Sequence, residues 1–162
     1  MATNDAVAVG LVEGVLKSWQ MGVDRGAKLF GRFGDEELER EIAPGKNRLI
    51  YIYGHLVAIH DSLYPTLRLG TRLHPDWDEL FLKGADRTVS LPPAAEVREA
   101  WNVVHERLRV GMAGLSAQEW LERHALVSEE DFAKEPHRNR LAVLLSRSGH
   151  LAYHLGQVVL VK

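Results

Sequence analysis

The sequence predicts an all-α protein, a four-helix bundle with a long crossover between its second and third helices. Three observations carry that prediction. Apolar residues recur at three- and four-residue steps over long windows rather than in alternation. Isoleucine and threonine, which favour strands, are sparse. The helical windows are separated by segments containing Gly and Pro, one of them much longer than the others.

The first window runs from about Asp5 to Phe30, with Val7, Leu11, Val12, Val15, Trp19, Val23, Gly26, Leu29 and Phe30 as its stripe, and Gly31 and Gly34 end it. After Ala43-Pro44-Gly45 a second helix is expected over Lys46 to Leu67, with Leu49, Ile52, Leu56, Ile59 and Leu63 inward and Pro65 tightening or kinking its end. Arg68 to Leu91 form the long connection. A span of that length can travel the height of a bundle and restart the chain in the same direction, so helices two and three are expected to be parallel. Pro92 and Pro93 suit the first helical positions of helix three, whose stripe is Val97, Trp101, Val104, Leu108, Met112 and Leu115. Ser116 with Glu119, and Ser128 with Asp131, read as capping signals for two short helical starts. Helix four is expected from about His137 to the chain end. Its stripe is Leu141, Leu144, Leu145, Ala152, Leu155 and Val159, and small residues Ala142, Ser146, Gly149 and Gly156 form a second strip that would let another helix or subunit approach closely. No repeat or linker divides residues 1–162, so one domain is expected.

Composition narrows the function classes. The chain has 162 residues, 46% apolar and 26% charged, with a formal net charge of −2, so nothing basic enough to track nucleic-acid phosphates is present. The uncharged runs Leu49–His60 and Ser148–Val161 are shorter than the roughly 18 residues a bilayer crossing needs. MATNDAVAVG carries Asp5 and no early basic residue, unlike a signal peptide, which predicts a cytoplasmic protein. There are no cysteines, which removes disulfides, thiolate metal sites and a cysteine nucleophile, and leaves His, Asp and Glu as metal ligands.

Among the eight histidines, His150 and His154 stand out in GHLAYHLGQVVLVK. Four residues apart on a helix they project about 40° from one another, close enough to share one ion, and no charged residue lies between Ser148 and Val161. Burying two imidazoles without partners is costly. Hydrogen bonds to neighbouring side chains, or an exposed face, would also satisfy them. A third ligand must come from another helix. His55 and His60 lie about 140° apart on helix two, so at most one faces the site; His60 falls among the inward leucines, and His55 at the margin of that stripe is the better candidate. His74, His105, His124 and His137 read as surface or capping residues.

The segments NRLIYIYGHLVAIHD and GHLAYHLGQ resemble the second and fourth helices of the DinB/YfiT-like superfamily, in which a lone helix-two histidine is followed near the C-terminus by His-x-x-x-His-x-Gly-Gln. The resemblance covers nearly the whole chain in length and helix order. It implies a four-helix bundle holding a divalent metal, Ni, Zn, Mn or Fe, through His55, His150 and His154. It also implies kinship with metal-dependent transferases and isomerases that use small thiols such as bacillithiol or mycothiol, and a homodimer. One departure is visible: Leu155 stands where relatives often carry a basic residue, so no shared anion contact is expected there.

Rival metal sites fail on spacing. No histidine has Glu three residues before it, as a di-iron bundle needs, and there is no His-Glu-x-x-His. A second histidine one turn away suits a compact ion better than haem. Three neutral imidazoles leave positions open, the layout of a catalytic ion. The expected function is therefore activation of a small thiol for S-transfer or isomerisation, the thiol being a co-substrate because the chain has none. A metal-dependent hydrolase, and a dimeric bundle that binds metal or ligand without turnover, are the alternatives. Gln157 is expected either to orient a ligand or to face solvent. Asn47, Tyr53 and Asp61 share helix two with His55, and no general base can be assigned. Metal binding is expected to weaken as pH falls through about 6, because ligand histidines must be neutral.

Overall fold

Residues 2–161 are described by the computed structural model, with side chains from Asp5 onward. Seven α-helices form among the described residues, four long and three short: α1 (Ala2–Phe30), α2 (Leu49–Asp61), α3 (Leu63–Thr66), α4 (Ala94–Ala113), α5 (Ala117–Trp120), α6 (Glu129–Lys134) and α7 (Arg140–Val158). No strand occurs among the described residues, and none of their helices is long and apolar enough to cross a membrane.

The expected second helix is broken. Proline at 65 has no N–H to give the carbonyl of Asp61, so α2 ends there and α3 follows as a single turn. Pro93 sits at the N-cap of α4 rather than inside its first turn. The Ser116–Glu119 capping box forms in full, and Ser128 accepts the N–H of Asp131. α7 starts at Arg140 rather than near His137, because Asn139 Oδ1 accepts the N–H of Ala142 at 2.9 Å. It stops at Val158; Lys162 lies outside the described residues.

Contacts set the directions of the four long helices. Tyr53 meets Trp101, His60 meets His105 and the Tyr64 hydroxyl donates to the Val104 carbonyl, so α2 and α4 run parallel, as the long connection predicts. Phe30 stacks on Tyr53 and Trp19 meets His60 edge-on, so α1 is antiparallel to α2. Gly22 and Gly26 of α1 lie against Leu151 and Leu155, so α1 and α7 are parallel. The order is up, down, down, up. Setting Gly22 beside Leu151 also puts Leu11 level with the first residue of α7, and the turns of α1 before it extend past the helix they would pack on. Val7 and Leu11 are accordingly 59% and 64% exposed, against their expected place in the core.

The stripe of α7 differs too. Leu144, Leu151, Leu155 and Val158 are buried, whereas Leu145, Ala152 and Val159 are exposed. At about 100° per residue the buried face is turned by roughly 60° from the expected one, toward the side that carries His150 and His154.

The crossover lies along α2 and is fastened to it at three heights. Asp61 accepts the N–H groups of Leu73 and His74 at 2.9 and 3.0 Å and pairs with Arg72. Arg48, at the start of α2, donates its N–H and guanidinium to Asp86. Between them a wide helical turn, Glu79–Lys83, buries Phe81 against Gly54, where a Cβ would lie 2.2 Å from the ring. Glycine at 54 is what lets the crossover approach.

The core holds a buried histidine pair. His60 lies in the core as expected, its Nδ1 2.8 Å from His105 Nε2, whose own Nδ1 donates to the Trp101 carbonyl at 2.7 Å, but it is only half satisfied, because its Nε2 is buried without a partner. His105 is buried, contrary to its expected surface place: its charged neighbours Glu106 and Arg107 point outward while it follows Trp101 and Val104 inward. The carbonyl fixes the order of protons, making His60 the donor to His105. Burial pushes both imidazoles acidic, His60 well below its usual value and His105 to about 4. The unfolded chain takes up protons below about 6.5, whereas in the folded chain His105 resists them down to about 4 and His60 is shifted the same way. Stability from the pair is therefore complete above about 6.5 and is lost as pH falls, on the order of 3 kcal/mol through His105. Urea unfolding of metal-free protein should show the midpoint dropping between pH 7 and 4.5, and the double variant His60→Leu, His105→Leu should have a shallower drop. Equal slopes would place the acid sensitivity elsewhere.

Candidate metal centre

Three imidazoles from two helices converge in the groove between α2 and α7. His150 Nε2 lies 3.3 Å from His55 Nε2 and 3.1 Å from His154 Nε2, and all three rings offer an atom within 4.8 Å of one another. All three residues are half-buried. The pair on α7 follows from its one-turn spacing, and α2, antiparallel to α7, brings His55 to the same height. Around an ion with metal–nitrogen bonds of about 2.0–2.1 Å, tetrahedral ligands sit about 3.3 Å apart and octahedral ones about 2.9 Å, which brackets both separations. These histidines could hold a metal ion.

Their outer nitrogens show how each ring is set. His55 Nδ1 is 2.8 Å from the Phe81 carbonyl, and His154 Nδ1 is 2.8 Å from Gln157 Oε1. Both acceptors put the proton on Nδ1 and leave the Nε2 lone pair facing the shared point, the arrangement a metal ligand requires. Gln157 thus orients His154, and its amide donates to the Tyr153 hydroxyl at 3.3 Å. His150 Nδ1 is buried without a partner.

Electrostatics agrees with neutral ligands. Burial lowers the pKa of all three, against the hydrogen bonds that His55 donates to the Phe81 carbonyl and His154 to Gln157 Oε1, which partly raise them. His150, which has no such bond and faces its two neighbours and Arg147, falls to about 4. Near neutral pH all three lone pairs are available.

The histidines predicted from the sequence are therefore brought together. Asn47, Tyr53 and Asp61 are not part of the group: Asn47 is exposed, Tyr53 stacks on Phe30, and Asp61 holds the crossover. One participant has no sequence signature of its own: the Phe81 carbonyl is backbone from the crossover, traceable only through Gly54. The strip of small residues on α7 is divided: Gly156, about 160° from His154, lines a groove of about 450 Å³ against α1 with Met21 and Gly22, whereas Ala142 and Ser146 line a separate cavity that Arg147 also borders.

Among curated proteins no significant match is found. A sequence model of the DinB superfamily matches residues 22–158, from the last third of α1 to the last residue of α7, and so spans both helices that carry the three histidines. The chain belongs to the DinB superfamily.

Proposed function

We propose that the protein is a metal-dependent enzyme in which His55, His150 and His154 hold one divalent ion that serves a small thiol co-substrate in S-transfer or isomerisation. The convergence of three Nε2 atoms, with the outer nitrogens of His55 and His154 already bonded, is the observation that carries this reading. An ion bound by three imidazoles keeps a position for substrate and lowers the pKa of a thiol there, supplying thiolate near neutral pH. The chain's own contribution is positional. Phe81 and Gln157 hold two rings in the ligating tautomer. With no cysteine in the chain, sulfur must arrive with the co-substrate.

Protein loaded with Ni²⁺, Zn²⁺ or Mn²⁺ tests this with a panel of small thiols and 1-chloro-2,4-dinitrobenzene, in which formation of the carbon–sulfur bond releases chloride. The expected result is turnover that needs both metal and thiol and is lost in His154→Ala. Turnover of ester or amide substrates without thiol would support the hydrolase reading instead. Stoichiometric metal with neither activity would support a binding protein.

A further inference from the structure

We propose that Arg147 forms an anion subsite beside the three-histidine centre and receives a carboxylate carried by the substrate, so that the thiol the centre takes is an anionic one. The substrate class rests on the metal reading above; the anion subsite itself does not.

Arg147 precedes His150 by three residues on α7 and His154 by seven, which sets it within about 60° and 20° of them around the helix and about 4.5 and 10 Å below them along it. It therefore lies on the same face of α7 as the two ligands, about one turn nearer the start of the helix. Its charge reaches His55 and His150, where it disfavours their protonation.

Its surroundings are unusual within this chain. Six other arginines with at least partial burial, Arg48, Arg72, Arg98, Arg123, Arg138 and Arg140, each pair with an acidic side chain. Arg147, half-buried, has neither hydrogen bond nor ion pair among the described residues, and its Nε is fully buried without a partner. Burial is the one cause acting on its pKa, and it acts downward. Keeping a guanidinium out of water with nothing to receive its donors is costly. Arg147 also lines a cavity of about 260 Å³ with Thr66, His124, His137, Asn139 and Ser146, and no carboxylate is among the lining residues. Five N–H donors in a fixed fork, facing a cavity free of internal anions, match an incoming carboxylate, which they bind in charge-assisted pairs.

Cobalt(II)-loaded protein gives the test, because thiolate binding to cobalt is read from its visible and near-ultraviolet absorption. The probes are 3-mercaptopropionate, which carries a carboxylate, and 2-mercaptoethanol, which does not. The wild-type protein should bind the first at least ten-fold more tightly at pH 7.5. Arg147→Met should bring that ratio close to one while leaving the cobalt spectrum and the affinity for 2-mercaptoethanol unchanged, and Arg147→Lys should retain part of the preference. A preference that survives in Arg147→Met would belong to the metal and overturn the proposal, as would equal wild-type affinities. Failure of the protein to take up cobalt would sink the metal reading by itself, and Arg147 is then tested in metal-free protein with inorganic phosphate. Phosphate should shift the Nε–H resonance of Arg147 saturably, and an unmoved resonance overturns the subsite.

Discussion

His150→Ala should abolish stoichiometric metal binding, taking the protein from about one equivalent to less than a tenth, with affinity down by at least a hundred-fold. The expectation is strongest at this residue because His150 Nε2 lies between the other two, 3.3 Å from His55 and 3.1 Å from His154. Without it, two rings from different helices remain and the ion loses a third of its protein ligands. The pH dependence is sharper than the sequence alone suggests. Unperturbed ligand imidazoles would lose metal as pH falls through about 6, but burial lowers all three here, and His150 to about 4. A ligand that resists protons competes for metal at lower pH. Affinity should hold constant from pH 8 down through about 6 and decline only below it, toward 4. Equilibrium dialysis with untagged protein reads both effects. Retained stoichiometry in His150→Ala, or affinity already falling between pH 8 and 7, would contradict the three-histidine centre.

What the sequence reveals follows from which interactions are local. Helix positions come from periodicity, the break after Asp61 from Pro65, and the parallel course of α2 and α4 from the length of the chain between them, all properties of contiguous residues. The His150–His154 pair is local too, and His55 is reachable because its offset from the leucine stripe of α2 can be counted. Long-range partnerships are different. Nothing in the neighbourhood of His105 announces that His60, 45 residues earlier, will meet it at 2.8 Å. Flanking charges suggest a surface place, yet neighbours on a helix point in other directions. The stripe of α7 is ambiguous for a related reason. Apolar or small residues cover most of its circumference, so periodicity cannot tell the face packed on the core from the face bordering the groove against α1. Arg147 is hidden most completely, because its distinguishing property is the absence of an acid brought near by folding.

Asp61→Ala should cost about 3 to 5 kcal/mol of stability. Its side chain is completely buried, yet it points away from the metal centre, toward the crossover. Removing the carboxylate leaves the N–H groups of Leu73 and His74 without their acceptor in a place that excludes water, at about 1 to 3 kcal/mol for each. Arg72 keeps a second carboxylate, Asp78, at 2.6 Å, so the uncompensated charge is only part of the loss. For a chain of this size the thermal midpoint should fall by roughly 8 to 15 °C. Asp61→Asn keeps one acceptor oxygen and should lose less. The consequence reaches the site through the backbone: the crossover fastened at Asp61 is the same segment whose Phe81 carbonyl orients His55, with Gly54 and the Arg48–Asp86 pair as its remaining anchors. Metal affinity in Asp61→Ala should therefore fall by far less than in His150→Ala, because those two anchors lie nearer Phe81 than Asp61 does along the crossover. A thermal midpoint within 2 °C of wild type would show that Asp61 is not what holds the crossover.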